Sequence, residues 1–218
     1  MKNLKMELGI KLKYCLFFIM ITNISLAQNY CIYYSLQTKL IPTDSSSIET
    51  YVELQKSCDE FTATLHCVSN NSEYTTNVKE IGVFGNNYYC VNNSLYYKTE
   101  KEILHNDYLI SKSKINNWEF IEEFKEIAKH KCRKAILKDD NSIIAWIFEE
   151  QNSNYGPAQY FASNGVILEL ETTAYIITAT QVKFSTKKEI ILPKLEILDQ
   201  VTYEKKIDDF FLETEGKF

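Results

Sequence analysis

The sharpest chemical pair in this sequence is His130-x-Cys132, inside "KHKCRKAIL". Residues two apart on a strand project to the same side, and an imidazole beside a thiol can hold a soft metal such as Cu(I) or Zn. Two ligands fall short of a closed zinc site, so a structural or disulfide role for Cys132 stands beside the metal reading. A second pair, His66-Cys67, occupies "ATLHCVS", and His105 lies in the loop-like "ILHNDY". One functional reading is therefore a metal- or redox-linked protein using His130 and Cys132. No cofactor is otherwise indicated, and none is expected.

Carboxylates are plentiful but poorly arranged for acid–base work. Glu122-Glu123 and Glu149-Glu150 are adjacent pairs at strand ends, and neighbours on a strand face opposite sides. Glu169, within "VILELE", is expected to share a solvent-facing side with Ile167 and Glu171. No G-x-S-x-G, H-E-x-x-H, Walker or dinucleotide pattern occurs. The chain carries no catalytic signature, and the expectation is a protein that is not an enzyme. Trp118 and Trp146 read as core residues, since "SIIAWIF" can place Ile144, Trp146 and Phe148 on one buried face.

What must position these residues is a β-rich fold. Tyr (15) and Phe (12) are abundant, while Gly (6) and Pro (3) are scarce, a balance that suits strands. Short apolar runs at Tyr30–Leu40, Phe61–Ser69, Lys129–Leu137, Ser142–Phe148 and Ala174–Phe184 read as strands. "NYYCVNNSLYYKT" reads as a hairpin turning at Asn92-Asn93. Asn164-Gly165 suits a type I′ turn that folds "QYFA" back onto "VILEL". Helices are few: Tyr51–Phe61 is one candidate, and "QVTYEKKIDDFFLETE" is a helix or a frayed tail. The fold class is mainly β, an antiparallel meander with at most one or two short helices beyond the export segment. Because "SIIAWIF" is apolar on both faces, its sheet must curve strongly, as in a partial barrel, or be covered.

The N-terminus reads as a signal peptide over residues 1–27, followed by a single β-rich domain over residues 28–218. Lys2, Lys5, Lys11 and Lys13 precede the apolar run Tyr14–Ile21, and Ser25-x-Ala27 offers a cleavage site before Gln28. The run is too short for a bilayer span, which needs ~20 residues. No transmembrane span is expected after cleavage. Removing four Lys and Glu7 shifts the formal net charge from −5 to −8, a poor balance for nucleic-acid binding. The basic cluster "KHKCRK" reads as a solvated strand face. Cys31, Cys58, Cys67, Cys90 and Cys132 remain, an odd number; one or two disulfides are expected, with pairing open.

From Trp118 to Glu169 the sequence resembles the GLPGLI family, exported proteins of Gram-negative bacteria. The resemblance runs through "WEFIEEFKEIAKHKCRKA", "AWIFEEQNSNYGP" and "ASNGVILE". Trp118, Lys125, Ile127, Cys132, Lys134 and Ala135 match its first block; Ala145, Trp146, Gly156 and Pro157 its second; Gly165, Ile167, Leu168 and Glu169 its third. Lys129-His130 stand where that family has Gly-Tyr, and Ala162-Ser163-Asn164 where it has Gly-Leu-Pro. The motif positions read as structural, and the family has no established activity to carry across. The sequons at Asn70 and Asn92 mean little in a bacterial protein.

The resulting expectation is a non-catalytic binding or envelope protein, periplasmic or outer-membrane-associated. It would hold an apolar or peptide ligand in a concave sheet, or dock to an outer-membrane or other envelope protein. The metal- or redox-linked reading is the alternative.

Overall fold

The computed structural model describes residues 29–41, 48–79, 81–99, 104, 106–149, 154–187 and 189–214. The expected signal peptide, His105 and Glu150 lie outside the described residues.

The strands, in chain order, are β1 (Tyr30–Thr38), β2 (Ala63–Val68), β3 (Asn71–Thr76), β4 (Asn87–Val91), β5 (Ser94–Lys98), β6 (Tyr108–Lys112) and β7 (Trp118–Ile127). They continue with β8 (His130–Leu137), β9 (Asp140–Phe148), β10 (Asn154–Tyr155), β11 (Gly165–Glu171), β12 (Tyr175–Phe184) and β13 (Glu196–Leu198). Helices α1 (Ile48–Glu60) and α2 (Gln200–Thr214) and a 3-10 turn at Gly82–Gly85 complete the described elements. All thirteen strands join one sheet in the order β13-β6-β5-β4-β3-β2-β1-β12-β11-β9-β8-β7, with β10 beside β11. Pairing is antiparallel except between β13 and β6 and between β10 and β11. The mainly β expectation holds. Successive strands pair antiparallel from β2 to β6 and from β7 to β9, as a meander requires, while β1 pairs with the distant β12.

Alternation sets the inner face. Along β1, Tyr30, Ile32, Tyr34 and Leu36 are buried; opposite them lie Leu65 and Cys67 on β2, and Ile177 and Ala179 on β12, also buried. One continuous apolar core joins Leu95 on β5 to Trp118 on β7, near opposite ends of the strand order. Only a strongly curled sheet brings those ends to a common core, and the sheet curls without closing. Strand β12 pairs nine residues with β1 but only three with β11. Beyond those three, the Tyr34 hydroxyl donates to the carbonyl of Ile167 at 2.7 Å. Burial holds that phenol well above its usual pKa, so it stays a donor.

The Asn164-Gly165 hairpin is not formed. Strand β11 pairs antiparallel with β9 and parallel with β10, and residues 158–162 leave the sheet as a coil fastened to Ile115. Gly165 does take a positive φ of 102°, but Asn164 does not. A Cβ on Gly165 would lie 2.2 Å from the carbonyl of Phe148, so glycine is required where β11 starts against the end of β9. The pairing follows burial: β9 offers "IIAWIF" as an apolar neighbour along β11, which the short run "QYFA" cannot match.

A bulge between Ile167 and Glu169 corrects the expected face of Glu169. Ile167 lies opposite Ile147, while Glu169 lies opposite Trp146, so the two project to opposite sides. The disulfides expected are also absent: all five described cysteines are free and buried. Cys67 and Cys90 both lie opposite Ser72 from flanking strands. That puts them about 9–10 Å apart by strand spacing, beyond the reach of a disulfide.

Candidate functional site

The histidine–cysteine pairs do not converge. Cys132 is fully buried, its thiol donating to the carbonyl of His130 at 3.5 Å. Burial pushes that thiol up to about 12, against the opposing pull of Lys125, and a group held as thiol is a weak metal ligand and nucleophile. The His130 ring packs on Phe148 with centroids 4.5 Å apart. His66 lies across from Glu73 on β3, its pKa lowered by burial first and by Lys187 next, while Cys67 is buried in the core. Among the described residues no group of three or more His, Cys, Asp or Glu could hold a metal ion.

The residues of the family resemblance do converge, on the outer face. Ladder registry sets Thr178, Glu169, Trp146 and Lys134 side by side across β12, β11, β9 and β8. Lys125 reaches in from β7, pairs with the Glu169 carboxylate and lies 4.2 Å from the Trp146 ring centroid. The Thr178 hydroxyl donates to Glu169 at 3.1 Å, and Lys134 pairs with Glu123 at 2.8 Å. Glu169 and Glu123 are thus paired with lysines, and Glu122 and Glu149 with Arg133. Trp146 is half-buried beneath two lysines rather than in the core, which is built instead from Ala145 and Ile147. Trp118 does lie in the core, and its indole N–H donates to the carbonyl of Phe161 at 2.7 Å. At Gly156 a Cβ would meet the carbonyl of Tyr160 at 2.2 Å, and Pro157 accepts the N–H of Tyr160 at 3.1 Å. These positions brace the coil at 156–162 against the sheet.

The expected apolar concavity is occupied by the chain itself. Tyr155, Ala158, Tyr160, Phe161 and Ala162 are buried against the inner face, and Phe84 stacks on Tyr160 at 6.4 Å. No room for an apolar ligand is left where those side chains sit.

An opening of about 480 Å³ lies instead at the hairpin end of the sheet. The turn Ser69-Asn70 joins β2 to β3, and Asn92-Asn93 joins β4 to β5; strands β3 and β4 are neighbours, so the two turns meet. Asn92 and Asn93 take φ of 50° and 67°, the left-handed region that asparagine tolerates best after glycine. The Asn92 N–H donates to the Asn71 side-chain oxygen at 3.0 Å, tying one hairpin to the other. Lys114 donates to Asn93 at 2.8 Å and lies over the Phe161 ring. Asn154 and Tyr155 close the cleft from β10, the Tyr155 hydroxyl donating to the carbonyl of Ser69. Burial raises the pKa of that phenol, and the nearby cysteine thiols add to the shift. Asn70, Asn92 and Asn93 are exposed at the rim.

Sequence reading found the Asn92-Asn93 turn but not the cleft. Asn70 and Asn92 carried a signal only as sequons, and Asn154 lay in a stretch read as a loop. The missing information was that β3 pairs with β4 and that β10 returns beside β11.

Fold and site together define a class: a curled, mostly antiparallel sheet with a filled interior and a polar cleft at its hairpin end. No family model and no curated protein matches the sequence. A solved structure, "Structure of PNGF-II in P21 space group", is similar to this chain, with a TM-score of 0.56 and 16% identity over 84% of its length. This chain spans 34% of that one, and the likeness is one of fold.

Proposed function

We propose that this chain is an exported, non-catalytic binding protein of a Gram-negative cell envelope, periplasmic or associated with the outer membrane, and that it binds through the hairpin-end cleft. The observation that carries the reading is the cleft: a polar opening of about 480 Å³ framed by two hairpins that hydrogen-bond to one another. A concave, largely preformed opening with polar groups held in place is a common form of ligand site. Export is supported by the basic, apolar and small-residue succession over residues 1–27, and by the resemblance to GLPGLI proteins. Among the described residues no helix is long and apolar enough to cross a membrane. An outer-membrane or other envelope protein is the partner this location suggests. The reading as a protein without catalysis rests on the outer-face carboxylates being paired with lysines and the Cys132 thiol being buried. The same burial weighs against the metal or redox alternative through His130 and Cys132.

Two measurements test the proposal. Expression of the full chain in a Gram-negative host should yield a processed protein beginning at Gln28 in the periplasmic or membrane fraction; an unprocessed cytoplasmic product sinks the export half. Native mass spectrometry of the exported protein should show an adduct that disappears in Asn70→Trp, which fills the cleft. Identical spectra for the two proteins sink the binding half.

A further inference from the structure

We infer that the hairpin-end cleft takes a neutral saccharide, an assignment that rests on the binding-protein reading above and specifies its ligand. The lining is unusual in its chemistry: five of its eight residues are asparagines. Each primary amide offers two donors and one acceptor, the mixture needed to meet sugar hydroxyls, which donate and accept at once. Asn71 and Asn93 spend their carbonyl oxygens on Asn92 and Lys114, and those bonds leave their NH₂ groups directed by fixed frames.

Charge excludes the other small-ligand classes. Among the described residues no carboxylate lines the cleft to give a divalent cation or a basic ligand a counter-charge. The one cation among the described lining residues, Lys114, is engaged with Asn93 and the Phe161 ring, too little for a phosphate or an acidic polymer, which draw on several cationic groups. An apolar chain would strip water from the exposed amides of Asn70 and Asn92 with nothing to replace it. A peptide is disfavoured by topology. Extended peptides are held by adding a strand to a free sheet edge, whereas the cleft is framed mainly by the turns Ser69-Asn70 and Asn92-Asn93, and the one strand that reaches it, β10, offers only two residues. What fits is an uncharged ligand dense in hydroxyl groups. The tying of Tyr155 to Ser69, and of one hairpin to the other, fixes the amides before the ligand arrives, which spares ordering cost on binding.

The test uses the exported full chain against three sets of probes of similar size: neutral hexose and N-acetylhexosamine oligosaccharides, sulfated oligosaccharides, and capped peptides. Binding to members of the neutral set is expected, with Asn70→Ala and Asn92→Gly each weakening it about tenfold, the loss of one to two hydrogen bonds. Both residues are exposed, and glycine keeps the positive φ at Asn92, so circular dichroism should match the parent chain. Preference for the sulfated or peptide sets, or no binding to any, overturns the assignment. The two proposals fail separately. A cleft-dependent adduct in native mass spectrometry without saccharide binding leaves the binding protein and removes the sugar, while the absence of both removes both.

Discussion

Two polar regions of this molecule use hydrogen bonds for opposite ends. On the outer face, Lys125, Glu169, Thr178, Trp146, Lys134 and Glu123 answer one another, each charge meeting a partner drawn from another strand. At the hairpin end, the polar atoms fix the backbone and leave amides at the rim. The first arrangement is closed and supports the sheet. The second is open and has bonding capacity to spend. Polarity alone therefore does not mark a site; what marks it is polarity that the fold has positioned without consuming.

The largest effect expected from breaking this contrast is at Trp146. Trp146→Ala removes a half-buried ring that packs under Lys125 and Lys134 and should cost about 2 kcal/mol, part of the 3–5 kcal/mol of a fully buried tryptophan, read as a lower urea midpoint. A loss under ~0.5 kcal/mol, the size of an ordinary surface change, would mean that the outer-face row is ornamental. An intermediate effect of opposite sign is expected at the β7–β8 turn. Ala128 and Lys129 hold φ of 48° and 70° there, the conformation that Asn92-Asn93 adopts at the cleft with more suitable residues. Lys129→Gly should stabilise the chain by about 1 kcal/mol by relieving the left-handed strain; thermal unfolding at an unchanged or lower temperature would contradict that. The smallest effect is at the rim, where Asn70→Ala should move stability by less than ~0.5 kcal/mol. A loss as large as that at Trp146 would show that the cleft is a structural joint.

Residue by residue, what could be read in advance follows a physical division. Strands β1, β8, β9 and β12, the helix α1 and the Asn92-Asn93 turn were apparent from local pattern, because alternation and turn chemistry act within a few residues, while α2 read as a helix or a frayed tail. Strand β3, "NSEYTT", was not among the expected strands, because its polar composition hides that Ser72 and Tyr74 are inward and buried. The Asn164-Gly165 turn failed for a different reason. Asn-Gly permits a hairpin but cannot compel one when a better apolar neighbour, β9, is available to the strand that follows. Trp146 was misplaced because periodicity tells which residues share a face and not which face is inside. For Glu169 the bulge at Leu168 reversed the parity on which the expectation stood.

The division between chain and fold is one of range. By itself the sequence determined a strand-rich chain and turns rich in asparagine; each of these is a property of composition or of neighbours along the chain. Only the tertiary structure decided which of those residues meet. Lys125 and Glu169 stand 44 positions apart, and the cleft gathers residues from 69 to 155. Their juxtaposition depends on long-range strand order, and that order is chosen by burial summed over the whole sheet, a quantity that no short window of sequence contains.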